Sequence, residues 1–158
     1  MRGLLLLLLA TGCASYDGRG LVPGQSTGAD VEAVMGPAAD RRRAAGGETV
    51  YYYSRLPFGH ATYAARIAPD GKLIALEQRL TPENMDKLKP GVTRADEVLD
   101  LLGPPYRPMK QATTGDEIWT YPFFVSGFPL PRWFVAHISP DGILREKNMF
   151  DDPTRGRR

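Results

Sequence analysis

One stretch of this chain occurs twice. Leu21-Val22-Pro23-Gly24-Gln25-Ser26 returns as Leu88-Lys89-Pro90-Gly91-Val92-Thr93, an offset of 67 residues counted from Gly24 to Gly91. The same offset carries Val31 onto Val98, Gly36-Pro37 onto Gly103-Pro104 and Tyr52 onto Trp119. Pro69-Asp70-Gly71 returns as Pro140-Asp141-Gly142, 71 residues on, which places about four additional residues between the first and second strands of the second copy. Punctuating residues that recur at a shared offset mark a duplicated supersecondary unit. The chain must therefore fold as two similar halves.

Each copy spells one structural program. In the second, Thr93 is a helix N-cap with Asp96 three residues on. Val98, Leu99, Leu101 and Leu102 give that helix an apolar face, and Gly103 followed by Pro104-Pro105 stops it. The first copy repeats this with Ser26, Val31, Val34, Met35, Gly36 and Pro37, and Gly28 inside the helix predicts a shorter, weaker one. Strands follow over 49–55, 62–68 and 72–79, and again over 117–122, 133–139 and 143–149, where β-branched and aromatic residues concentrate. The Pro-Asp-Gly between the last two strands of each copy is a turn, since Pro presets φ while Asp and Gly accept tight-turn dihedrals. Thr81-Pro82-Glu83 opens a further short helix to about Leu88. The expected fold is α+β: two tandem units of short helices packed on an antiparallel three-stranded sheet, the first over 21–80 and the second over 81–150. The expected core is Val31, Val34, Tyr52, Ile67, Leu73 and Leu76, then Val98, Leu102, Trp119, Phe134, Ile138 and Leu144. Residues 151–158 read as a disordered tail.

The first residues carry a different signal. Met1 and Arg2 precede six leucines, Leu4 to Leu9, then Ala10, Thr11, Gly12 and Cys13, the chain's single cysteine. A positive start, a short apolar run and small residues before a cut site make a secretory signal over 1–12. The run is too short for a membrane span, which needs ~20 residues. The segment resembles the lipobox of bacterial lipoproteins, in which the cysteine is exposed as the new N-terminus and acylated. That makes Cys13 a lipidation site and residues 13–20 a tether. Ala14, in place of an aspartate after the cysteine, points to the outer membrane.

Taken together, Leu88, Gly91, Thr93, Val98, Leu102-Gly103-Pro104-Pro105 and Trp119-Thr120-Tyr121 resemble the SmpA/OmlA (BamE-like) lipoprotein domain. The first copy carries the phrase as Met35-Gly36-Pro37 and Tyr51-Tyr52-Tyr53. Tandem units of this kind are also similar to β-lactamase inhibitor proteins. The resemblance covers most of residues 20–149. It implies a periplasm-facing outer-membrane lipoprotein whose partners are envelope proteins, barrel-assembly components among them.

Composition and motifs narrow the chemistry. At 42% hydrophobic and 24% charged, with a net charge of +2, the chain lacks the basic excess of a nucleic-acid binder. Arg41–Arg43 and the tail Arg155, Arg157 and Arg158 read as solvated loops. His60 and His137 lack the spacing of metal ligands. Asp151 and Asp152 sit on the expected tail, which cannot hold the fixed geometry that catalysis needs. The reading is therefore non-catalytic, with no cofactor, metal or small-molecule substrate. One stretch stands out as a binding surface: the apolar loop from Pro122 to Pro131, with Phe123, Phe124, Phe128 and Leu130 as candidate partner contacts. The lead expectation is an accessory or scaffold in envelope assembly. The alternative is a periplasmic inhibitor that blocks an envelope enzyme with the concave face of its sheets.

Overall fold

The computed structural model describes residues 15–128 and 130–152. Cys13, the signal over 1–12, Pro129 and the tail arginines lie outside the described residues. The elements run α1 (Gly28–Met35), β1 (Asp40–Arg43), β2 (Thr49–Ser54), β3 (Thr62–Ile67) and β4 (Leu73–Gln78). They continue with α2 (Pro82–Lys87), α3 (Ala95–Leu102), β5 (Tyr106–Lys110), β6 (Glu117–Phe123), β7 (Arg132–Ile138) and β8 (Leu144–Asp151). The strands form two four-stranded antiparallel sheets, in the orders β1-β2-β3-β4 and β5-β6-β7-β8.

The expected α+β fold on three-stranded sheets is thereby corrected: the chain is mostly β, and each sheet has a fourth strand. The additional strands are β1, of sequence DRRR, and β5, of sequence YRPMK. Each lies at a sheet edge, where one side of the ladder is open. Charges and proline are tolerated there and blunt further pairing. That chemistry erases the apolar alternation by which a strand is recognised, so Arg41–Arg43 read as a loop. The expected tail is also shortened, because β8 runs on to Asp151, whose Oδ1 accepts from Arg132 Nε at 3.1 Å.

The duplication is visible in hydrogen bonds. Both long helices have eight residues, so Gly28 does not shorten α1; it is the first helical residue. The caps fall one residue later than the sequence pattern predicts. Thr27 and Asp30 form the capping box of α1, and Glu97 Oε2 accepts from the Arg94 N–H at 2.7 Å at the start of α3. Ser26 and Thr93 instead close the preceding turns, accepting from the N–H groups of Val22 (2.9 Å) and Lys89 (2.8 Å). The same turns dock on the last strand of their own sheet, where Gly24 N donates to Leu73 O and Gly91 N to Leu144 O, each at 2.8 Å.

The ladders refine the alignment of the copies. Thr49 pairs with Ile67 and Glu117 with Ile138, which shifts the offset to 68 at the second strand. Tyr51, not Tyr52, is therefore the counterpart of Trp119, and Tyr52 that of Thr120. The shift enters at the turn before that strand, which spans 44–48 in the first copy and 111–116 in the second. The rest of the insertion lies in the β6–β7 loop. A slip of one residue moves a side chain to the other face of a sheet.

That face decides how the halves meet. Tyr53, Ala65, Ile67 and Leu73 pack against Val31 and Met35 of α1, with Val34 and Leu76 at the margin. Tyr52 lies on the opposite face with Val50 and Ala64, and it is buried too. The cover there is the C-terminal end of α3. Tyr52 Oη donates to the Asp100 carbonyl at 2.7 Å, and Arg42 Nε pairs with the Asp100 carboxylate. From the other side Tyr121 Oη donates to the Gly103 carbonyl at 3.1 Å. The second core gathers Val98, Leu102, Trp119, Tyr121, Phe123, Phe134, Ile138 and Leu144, and reaches back to Leu80 and Leu56.

Two tests follow from this packing. Gly36 and Gly103 are repeat partners at φ +85° and +80°, yet an added Cβ meets nothing at Gly36. At Gly103 it lies 2.7 Å from Thr62 Cγ2 and 2.9 Å from Tyr52 Cδ1. Urea unfolding is expected to show about 1–3 kcal/mol lost in Gly36→Ala from backbone strain alone. Gly103→Ala is expected to lose clearly more; equal losses would mean that the halves are not in close contact. Burial pushes the Tyr52 and Tyr53 hydroxyls from 10.0 up to about 12. The folded state holds those protons more tightly than the unfolded chain, so stability is flat below pH 10 and falls as pH rises toward about 12. Urea midpoints measured across that window should fall less steeply in Tyr52→Phe and Tyr53→Phe.

Candidate functional site

Strand parity separates the four candidate contacts. On β6, Trp119, Tyr121 and Phe123 alternate on the core-facing side, and Phe123 is fully buried. Its assignment as a partner contact is corrected: it continues the core row of its strand and offers nothing to a partner. Beyond it the chain leaves the ladder. Phe124, Phe128 and Leu130 expose 50%, 59% and 40% of their surface. Val125 turns inward and packs against the second core, so the loop has an inner anchor and outer apolar tips.

The corresponding loop of the first copy, between β2 and β3, has the same construction. Leu56 is its anchor and packs on the second core, while Phe58 is 92% exposed. The two loops touch. The His60 ring lies 4.5 Å from that of Phe124, and His60 Nδ1 is 2.9 Å from the Phe58 carbonyl. His60 holds φ +50°, a left-handed conformation uncommon for a residue with a Cβ, which turns its ring toward the neighbouring unit. Phe58 and His60 are thus members of the patch that the sequence pattern did not single out. The available signal was the repeat itself, since Leu56-Pro57-Phe58-Gly59 occupies the position of the longer apolar loop.

The described part of the N-terminal segment leads to the same place. Tyr16 Oη donates to the Gly59 carbonyl at the tip of the β2–β3 loop. Arg55, at the base of that loop, donates through Nη2 to the carbonyls of Ser15 (3.3 Å) and Met35 (3.2 Å), and through Nε to that of Tyr16 (3.3 Å). Its guanidinium also lies 5.6 Å from the Tyr16 ring centroid, within cation–π range. One arginine therefore caps the end of α1 and clamps residues 15–16 beside the exposed aromatic tips. Among the described residues no group of three His, Cys, Asp or Glu is placed to hold a metal ion, and no helix is long and apolar enough to cross a membrane.

No family model matches this chain, and no curated protein matches it. Among solved structures it is similar to a DUF4309 family protein, YjgB from Bacillus subtilis subsp. subtilis strain 168. The two are 19% identical with a TM-score of 0.32, over 85% of this chain and 84% of that one.

Proposed function

We propose that the chain is a non-catalytic lipoprotein of the bacterial outer membrane, anchored through Cys13, that serves as an accessory or scaffold in the assembly of β-barrel envelope proteins. The observation that carries this reading is the shared location of the anchor segment and the apolar tips. Ser15 is two residues from Cys13, a reach of at most ~7 Å of extended chain. Its carbonyl is held by Arg55, beside the loop that displays Phe58. Acyl chains on Cys13 would therefore hold Phe58, Phe124 and Phe128 close to the bilayer surface. Each buried CH₂ contributes ~0.8 kcal/mol to that attachment, and two or more chains make it durable. A partner met there is itself a membrane protein, which fits a barrel under assembly or the machinery that assembles it. The lipobox-like segment and the SmpA/OmlA-like phrases of both copies support the same reading.

The inhibitor alternative has one observation in its favour. The outer face of the second sheet pairs Trp133 with Phe150, which is 41% exposed, an aromatic pair that an enzyme surface could cover.

Crosslinking in intact cells, followed by identification of the captured protein, tests the lead. Barrel-assembly components should be recovered, and recovery should drop in the triple variant Phe58→Ser, Phe124→Ser, Phe128→Ser while its urea midpoint stays near that of the parent. Cys13→Ala should move the chain from the membrane pellet to the soluble fraction. Capture of a soluble hydrolase, or unchanged capture by the triple variant, sinks the scaffold reading.

A further inference from the structure

The layers of this molecule alternate and stop unevenly. Helix α1 covers one face of the first sheet, and the end of α3 covers the other. Helix α3 also packs on the inner face of the second sheet through Val98 and Leu102. The order is therefore helix, sheet, helix, sheet. The stack begins on the outer side of α1 and ends on the outer face of the second sheet.

That last face is not built for water. An antiparallel sheet with one solvated face carries polar residues on it. Here the outward positions of β6 are Ile118, Thr120 and Pro122, and those of β7 are Trp133, Val135 and His137. Met109 on β5, opposite Ile118, is 62% exposed, and Phe150 on β8, opposite Trp133, is 41% exposed. Among the described residues the side-chain hydrogen bonds of this face stay within the sheet. Thr120 Oγ1 donates to the Tyr106 carbonyl at 2.6 Å, and Asn148 Nδ2 donates to Glu146 Oε1 at 2.7 Å.

The repeat shows what covers such a face. In the first sheet the corresponding face is met by α3, where Arg42 pairs with the Asp100 carboxylate and where Tyr52 and Thr62 occupy the space left by Gly103. Both sides of that contact have a counterpart at an open end of the stack. On the sheet side Met109 takes the place of Arg42, Thr120 that of Tyr52 and Trp133 that of Thr62. On the helix side, at the 67-residue offset, Ala33 takes the place of Asp100 and Gly36 that of Gly103. Ala33 is exposed, and an added Cβ at Gly36 meets nothing. The charged pair is thus replaced on both sides at once, arginine by methionine and aspartate by alanine. Replacement on one side alone would have set a charge against an apolar group.

We infer that copies of this chain associate head to tail, the α1 end of one seated on the outer face of the second sheet of the next, as α3 is seated on the first sheet within each copy. Such a contact joins two different surfaces, so each added copy leaves one of each open and association runs beyond the dimer. The inference stands apart from the scaffold reading and from Cys13, since the contact uses neither the aromatic loop tips nor an acyl chain.

Sedimentation velocity of the full chain carrying Cys13→Ala, so that no acyl chain drives association, is the test. The mean mass should rise with concentration past that of a dimer. Met109→Arg and Ala33→Asp, each at an exposed side chain and each with a urea midpoint near the parent's, should weaken association at least about tenfold, because each sets one charge against an apolar surface. Mixed in equal amounts, the two variants should recover growth past the dimer. The introduced arginine then meets the introduced aspartate as Arg42 meets Asp100, and the unaltered end of each variant still meets that of the other. A parent that stays monomeric at every concentration, or growth that ends at a dimer, overturns the inference. Single variants that associate as the parent does, or a mixture no better than its components, overturn it as well.

Discussion

The end of α3 is where the two halves become one structure. A helix terminus leaves its last carbonyls without partners inside the helix. Here they are met from both sides: Tyr52 of the first sheet donates to the Asp100 carbonyl, and Tyr121 of the second donates to that of Gly103. Each hydroxyl crosses a layer boundary that apolar packing would leave unspecified in register. A hydrogen bond is directional and fails if the sheets slide, so this pair fixes the stacking of sheet, helix end and sheet. Gly103 makes the approach possible, because its missing Cβ is the space that Thr62 and Tyr52 occupy.

The first unit solves the same problem with different chemistry. The carbonyl of Met35, at the end of α1, is met by Arg55, and Val34 O accepts from the Ser15 N–H. A guanidinium has five donors in a planar fork, so one side chain serves the helix end, the incoming chain and the Tyr16 ring together. The cap that completes α1 also sets where residues 15–16 lie, beside the aromatic loops.

Much of this architecture was legible in the sequence because duplication and turn chemistry are local. Gly36, Gly103 and the two Pro-Asp-Gly turns announce element ends through backbone geometry alone. The apolar positions of the helices and central strands follow from period, and all twelve expected core residues are buried or pack at the margin of a core. What escaped depends on contacts distant in sequence. Strands β1 and β5 are edge strands, whose charged residues are permitted by a sheet they join but do not announce. Tyr52 belongs to the core as expected, but its counterpart is Thr120 and not Trp119, because the inserted turn residue shifts the register by one. Phe123 reads as part of the exposed loop because nothing in the pattern PFFVSGF marks where the ladder stops.

The distribution of polar groups separates the two ends of the molecule. At the loop end the ring-bearing tips project without carboxylates or guanidinium groups beside them in the contacts observed, and Arg55 is spent on backbone carbonyls. On the Tyr52 face of the first sheet Arg42 and Arg66 are met by the carboxylates of Asp100 and Glu48. An apolar surface is tolerated in water only at a cost that a covering surface removes, whereas exposed ion pairs are at home in water and ask for no further cover. The apolar tips are therefore a part of the described surface that a covering surface would complete, whereas the ion-paired face of the first sheet is complete as it stands.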